Sequence, residues 1–329
     1  MSVKLRAIAA ALVATALLAL CFRGVDAAQV GALLARAEAA WLLAAILVNA
    51  TIPVLWAAQW WLFLPARGAL GFRAMYGITS VMAMVANSVP MLLGQVTGVH
   101  LLATRGRVGH PTALSVIALD QLAEGLAKLT VLFALASFTP LPTVLRGALW
   151  ALSAGVAVLL AIVVAAAWSY GRVRLPRVIR DWAAGLRGAT RPRVVVGGLA
   201  LGLGMKCAEM GGILAVQHAL GVELPLWSAL AVLAAVTLST MVSLAPANLG
   251  VYEGSAYLAY TALGVAPETA LGLAVLQHIA YLIPMAGTGW ITVLVTRPRQ
   301  AAAIAPAADP LDPLDALDSL DSRPLRARS

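Results

Sequence analysis

Six apolar stretches of this 329-residue chain, at roughly 5–22, 40–64, 112–137, 147–168, 194–219 and 269–296, are each long enough to bridge a lipid bilayer. A helix rises about 1.5 Å per residue, so about 20 apolar residues cover a hydrocarbon layer about 30 Å thick. Composition agrees: 61% of the residues are apolar and only 11% charged, with a mean hydropathy of +0.90. Soluble domains carry about 45–50% and about 25% respectively. A water-soluble core cannot hold that much apolar surface, so lipid is the solvent. The expected fold is an all-α polytopic membrane protein.

The positive charges orient it. Within residues 1–300, Lys4, Arg6, Arg67, Arg73, Arg105, Arg107, the run Arg172, Arg174, Arg177, Arg180, Arg187, Arg191 and Arg193, and Arg297 and Arg299 fall on one side; Arg23, Arg36 and Arg146 fall on the other. Fifteen against three places both termini in the cytoplasm of a bacterial inner membrane. The net charge of +9 thus records topology and attraction to the inner leaflet, and no nucleic-acid motif accompanies it. Residues 300–329 repeat Asp309, Asp312, Asp315, Asp318 and Asp321 among Pro, Leu and Ser, the composition of a disordered cytoplasmic tail. Cys21 and Cys207, both in or at the ends of apolar segments, read as small packing residues. Trp56, Trp60 and Trp61 read as an interfacial anchor.

Two further apolar stretches do not fit as single spans. Residues 74–103 lie between Arg73 and Arg105, both assigned to the inside, and Pro90 and Gly94 interrupt them. Each arm is about 13–16 residues, or ~20–24 Å as a helix, too short to cross. A hairpin that enters from the cytoplasm and returns satisfies both length and charge. Residues 227–264, broken by Pro246, Asn248 and Gly250, form the counterpart entering from the periplasm. The competing reading is an ordinary kinked span with a misassigned loop. Both tips read Pro-x-x-Leu-Gly, at 90–94 and 246–250, and the pairs Asp120-Gln121 and Gln277-His278 follow the two prolines by 30 and 31 positions. The expected organisation is therefore an inverted repeat of about six full spans and two re-entrant hairpins. Its halves are 1–145 and 146–299, followed by the tail. In such transporters substrate binds where the repeats meet.

Asp120, Glu124 and Lys128 share one face of 112–137, and Lys206 and Glu209 stand three apart within 194–219. A lone charge at mid-membrane costs at least about 2.5–3.5 kcal/mol on insertion scales, so these groups face the protein interior, with Glu124–Lys128 and Lys206–Glu209 as the obvious pairs. They are either a polar cavity that meets an anionic headgroup or a structural set of ion pairs. Glu253 and His278 are also intramembrane and ionisable; a single His is more often a satisfied packing residue. There is no nucleotide loop, zinc spacing or nucleophile elbow, hence no cofactor, metal or catalytic set to name. Gly202 and Gly204 read as helix packing.

The stretch Ser243-Leu-Ala-Pro-Ala-Asn-Leu-Gly-Val-Tyr-Glu253, with Ala-Leu-Gly-Val at 262–265, resembles the signature of the lysylphosphatidylglycerol synthase transmembrane family, the flippase-like membrane proteins. That family carries Pro-Gly-Gly-Leu-Gly-Val-x-Glu in its second half and Pro-x-Arg-x-Gly-Glu in its first. The resemblance covers residues 1–298. By position Pro246, Gly250, Val251 and Glu253 carry over, as do Pro90 and Gly94. Leu92 stands for the family's Arg, Gln95 for its Glu, and Asn248 for a usual Gly. The resemblance implies movement of lipids or lipid-linked precursors between leaflets, without the soluble aminoacyl-transferase domain of fused members.

The leading expectation is a flippase-like transporter of an anionic lipid or lipid-linked precursor, not an enzyme. Pro90, Gly94, Pro246 and Gly250 shape the hairpin tips. Gln95, Asn248, Glu253, Lys128 and Lys206 contact the headgroup, with Asp120, Glu124, Glu209 and His278 beside them. The partners are membrane lipids, with envelope-lipid biosynthetic enzymes as further candidates. The alternatives are a carrier of a small soluble solute and a non-transporting subunit of a lipid-modifying complex.

Overall fold

The computed structural model describes residues 26–65, 70–88, 91–106, 108–174, 176–189, 191–241 and 245–304. The first apolar stretch, Pro90 and most of the Asp-rich tail lie outside these. Every regular element among the described residues is a helix. The chain divides into two units after Trp290, inside the last helix.

Four described segments are long and apolar enough to cross a membrane: Ala39–Phe63, Leu145–Ser169, Pro192–Ala219 and Pro267–Thr296. The first is a kinked pair, α2 (Ala39–Asn49) and α3 (Thr51–Phe63), preceded by a short helix α1 (Ala27–Arg36). Pro53 has no N–H to offer the carbonyl of Asn49, so the ladder breaks there. The Asn49 amide instead donates to the Ala45 carbonyl at 3.0 Å. Asp26 caps α1, accepting from the Ala28 and Gln29 amides at 2.8 and 3.4 Å, and those bonds hold its carboxyl below the ordinary value of 3.8.

Next come α4 (Phe72–Ala86) and α5 (Met91–Arg105), a packed antiparallel pair. Their close approach needs glycine: a Cβ on Gly94 would stand 2.5 Å from that of Ala86, and one on Gly98 would strike the Met82 sulfur. The broken first stretch is therefore a helical hairpin with arms of 15 residues each. Then α6 (His110–Phe138), 29 residues with Asp120, Glu124 and Lys128 along it, is also long enough to cross. After α7 (Thr143–Ser169), the arginine-rich loop contains an unforeseen amphipathic helix, α8 (Arg177–Ala189), whose Ala183 and Leu186 are fully buried. It packs on α6 and α7, and Gly185 lies directly against Ser115.

Helix α9 (Pro192–Ala219) is the central strut. Its glycines let other helices approach: Gly197 and Gly198 meet Leu62 and Phe63, Gly204 meets Leu55, and Gly211 and Gly212 meet Val48 and Asn49. Small residues at helix interfaces serve the same purpose generally in membranes. A Gln59 amide donating to the Gly198 carbonyl at 2.8 Å adds a polar tie. Gly202 and Gly204 are thus packing residues, as the sequence indicates.

The second hairpin is α10 (Leu226–Met241), a 3₁₀ turn at Pro246–Asn248 and α11 (Val251–Ala262). Helix α12 (Pro267–Ile304) follows and runs five residues beyond the expected end of the second repeat at 299. The order long helix, helical hairpin, long helix thus occurs twice in the chain. One apolar core gathers the second hairpin with parts of α2, α6, α9 and α12; another gathers the first hairpin with α3, α6 and α8. The outer face of α7 exposes Trp150, Val158, Ile162, Val164 and Trp168, as a lipid-facing surface does.

Two expectations are corrected. The Trp56–Trp60–Trp61 cluster is not a surface anchor: Trp60 is fully buried, and Trp56 donates its indole N–H to Asp120 at 2.9 Å. Trp56 and Trp60, four apart, share the inward face of α3, and a buried carboxylate there needed a donor. Cys207 is exposed on α9 rather than packed inside, because the glycine face of that helix takes the interior.

Candidate functional site

Two spans carry the charges into the interior. On α6, Lys128 Nζ lies 2.7 Å from Glu124 Oε1; on α9, Lys206 Nζ lies 2.7 Å from Glu209 Oε1. These are the i,i+4 and i,i+3 pairs expected from spacing. The two pairs also feel one another, since Glu124 interacts with Lys206 across the α6–α9 contact.

They line a cavity of about 210 Å³ together with Asn49, Gln121, Thr237, Thr240, Asn248, Tyr252, Gln277 and Tyr281. A second chamber, about 110 Å³, shares Gln121, Glu124, Lys206, Glu209, Asn248 and Tyr281 with it, and adds Asn87, Gln95 and Asp120. Residues from both hairpin tips, Asn87 and Gln95 from the first and Asn248 from the second, therefore face one polar space. A third, lateral cleft of about 390 Å³ shares Gln121, Glu124, Lys128 and Met241 with the central cavity. Its remaining walls are Gly125, Ala148, Ala151, Leu152, Gly155, Val156, Leu159 and Leu238, all apolar or glycine. Gln121 and Glu124 belong to all three spaces.

The second tip is held from behind. Glu253 accepts from the Gly250 amide at 2.7 Å with one oxygen, and its other oxygen lies 2.7 Å from His278 Nδ1. Tyr252 stacks on His278 with ring centroids 4.1 Å apart. The Tyr260 hydroxyl donates to Gln277 at 3.0 Å, and the Gln277 amide donates to the Tyr252 hydroxyl at 2.9 Å. Glu253 and His278 are buried and come together, yet neither lines the chamber. Asp120 meets Trp56 and borders only the tip chamber. Lys128, Lys206, Glu124, Glu209, Asn248 and Gln95 do face these spaces, whereas Gly94, Pro246 and Gly250 only shape the backbone around them. The sequence reading missed Asn49, Thr237, Thr240, Tyr252 and Tyr281, and took Gln121 and Gln277 only as markers of the repeat. Their signal was weak: a polar group inside an apolar run. Among the described residues, no three His, Cys, Asp or Glu side chains converge as metal ligands.

Backbone geometry at the second tip is unusual. Ala247 and Asn248 have φ of 53° and 56°, and Gly250 has φ of 80°. Left-handed backbone suits Gly and, less well, Asn.

The family model for the lysylphosphatidylglycerol synthase TM region matches residues 7–289. The chain belongs to that family. No curated protein matches it closely enough to add a relative. Membership makes the tip intelligible. The two positions where the lysylphosphatidylglycerol synthase family motif has consecutive glycines are occupied here by Ala247 and Asn248, the two non-glycine residues with positive φ. The motif glycines answer a backbone requirement, and the motif's Glu253 fastens the start of α11.

Proposed function

We propose that this lysylphosphatidylglycerol synthase family member moves an anionic lipid or lipid-linked precursor between leaflets. Its headgroup passes through the charged chamber while its acyl chains stay in the lateral cleft. One observation carries this reading: the charged cavity continues, through the shared Gln121, Glu124 and Lys128, into a cleft whose outer walls are apolar. A ligand that fits both is polar at one end and greasy at the other. The two lysines supply six donors to an anion. An arriving phosphate competes with Glu124 for Lys128 and with Glu209 for Lys206; the four side-chain charges cancel in the empty chamber, and the loaded one carries the charge of the anion. The arginine count favours cytoplasmic termini in a bacterial inner membrane, a setting in which envelope-lipid enzymes would supply the cargo.

The test is a proteoliposome assay with fluorescent anionic lipids and polyprenyl phosphates. Gly155→Trp places a bulky side chain in the cleft at a position where a Cβ meets nothing within 4 Å, and the variant is compared only after its melting temperature matches that of the parent. Transbilayer movement is expected to fall about tenfold in that variant, the effect of ~1.4 kcal/mol, and likewise in Lys206→Ala. Movement unchanged in both sinks the proposal. A carrier of a soluble solute keeps its uptake in Gly155→Trp, which separates the two readings.

A further inference from the structure

The charges of the two lysine–glutamate pairs cancel, and one more carboxylate in the same interior is left over. Asp120 is 3% exposed and borders the tip chamber of about 110 Å³, on whose wall Glu124, Lys206 and Glu209 also stand. Its oxygens accept from neutral donors, the Trp56 indole N–H at 2.9 Å and, more weakly, the Gln121 amide at 3.4 Å. Asp120 makes no ion pair among the described residues, since Lys128 is engaged by Glu124 and Lys206 by Glu209, each at 2.7 Å. Glu124, one turn along α6, adds like charge beside it. The other polar groups on the chamber wall carry no charge: Asn87 and Gln95 from the first hairpin, Asn248 from the second and Tyr281 from α12. The buried Glu253–His278 pair holds the second tip from behind and does not line this space.

A carboxylate sealed from water without a cation is costly to keep ionised. A metal cation would need several oxygens turned towards it, whereas both oxygens of Asp120 already accept from N–H groups. A proton needs a single lone pair. We infer that Asp120 is a proton-binding site, and that it takes up its proton as an anionic headgroup enters the chamber. An anion beside Lys206 brings a second negative charge into the space that Asp120 borders. Like charges about 10–12 Å apart at an effective dielectric of about 20 disfavour one another about tenfold. Protonation removes that repulsion, so proton and anion each favour the other's binding by the same factor. The two then cross together, and a proton gradient drives the lipid. Proton binding at Asp120 stands by itself; its coupling to lipid movement rests on the transport reading above.

Two measurements on the full chain test this. In difference infrared spectra of the detergent-purified protein titrated across neutral pH, the parent is expected to show a protonated carboxyl C=O band. Asp120→Asn lacks that band and Asp120→Glu retains one, which separates a lost carboxyl from disturbed packing. In proteoliposomes with the membrane potential clamped at zero, a gradient of about one pH unit should concentrate fluorescent phosphatidylglycerol about tenfold in the alkaline-facing leaflet. Whatever movement remains in Asp120→Asn should ignore the gradient. A parent without a titrating band, a band or a gradient response that persists in Asp120→Asn, or accumulation driven by a sodium gradient instead overturns the inference. A parent that moves no lipid sinks the transport reading, and the infrared band then decides the proton site alone.

Discussion

At the scale of single residues, the interior charges are held by near neighbours and the tip by distant ones. Lys206 and Glu209 are mostly buried, with side chains 10% and 18% exposed. Removing one partner leaves the other uncompensated, which costs about 3–5 kcal/mol for buried pairs, while replacing both is far milder. Lys206→Ala is therefore expected to melt well below Lys206→Ala with Glu209→Ala in detergent thermal denaturation; equal melting points would place the pair in water. Ala247, at φ 53°, gives a second prediction. Ala247→Gly relieves a left-handed non-glycine residue and should raise stability by about 1 kcal/mol, read as a small rise in melting temperature. The local pairs were legible because i,i+3 and i,i+4 spacing fixes them. The bonds Trp56–Asp120, Tyr252–Gln277 and Glu253–His278 were not, since partners 64 and 25 positions apart meet only through the tertiary fold.

At the scale of elements, membrane thickness made the hairpins readable. Arms of 15 residues cannot cross about 30 Å of hydrocarbon, and a turn is the remaining solution. Helix α8 is hard to read in sequence because the arginines around it dominate its composition; the apolar Ala183 and Leu186, three apart and buried, are its one periodic signal. Helix α1 is hard to read because it is ten residues long and lies outside any span. The first hairpin closes at Gly94, where a side chain would enter Ala86. Gly94→Leu should force α4 and α5 apart and cost several kcal/mol, of the order seen for overpacked interiors. Faster proteolysis between residues 86 and 94 in the purified variant checks this, and unchanged cleavage would show the arms do not depend on that contact.

At the scale of the whole molecule, the two hairpin tips share one polar space although the charge count sends their arms to opposite faces. With Cys21 and Cys207 replaced by serine, Ser88→Cys and Leu249→Cys chains report on this directly. An impermeant thiol reagent is expected to reach the first from the cytoplasm and the second from the periplasm, and the reverse pattern would invert the topology. The order of elements was available from the sequence, but the continuity of chamber and lateral cleft was not. That continuity depends on Gly125, Ala151 and Gly155 leaving room, and small residues announce packing as readily as space. The two buried ion pairs have an electrical consequence. Lys128, Lys206, Glu124 and Glu209 together contribute no net charge, so an empty chamber changing its exposure drags none of theirs through the field. Each elementary charge moved across 100 mV is worth about 2.3 kcal/mol. In the proposed transport cycle, a membrane potential would therefore act on these four groups only when an anion is bound among them.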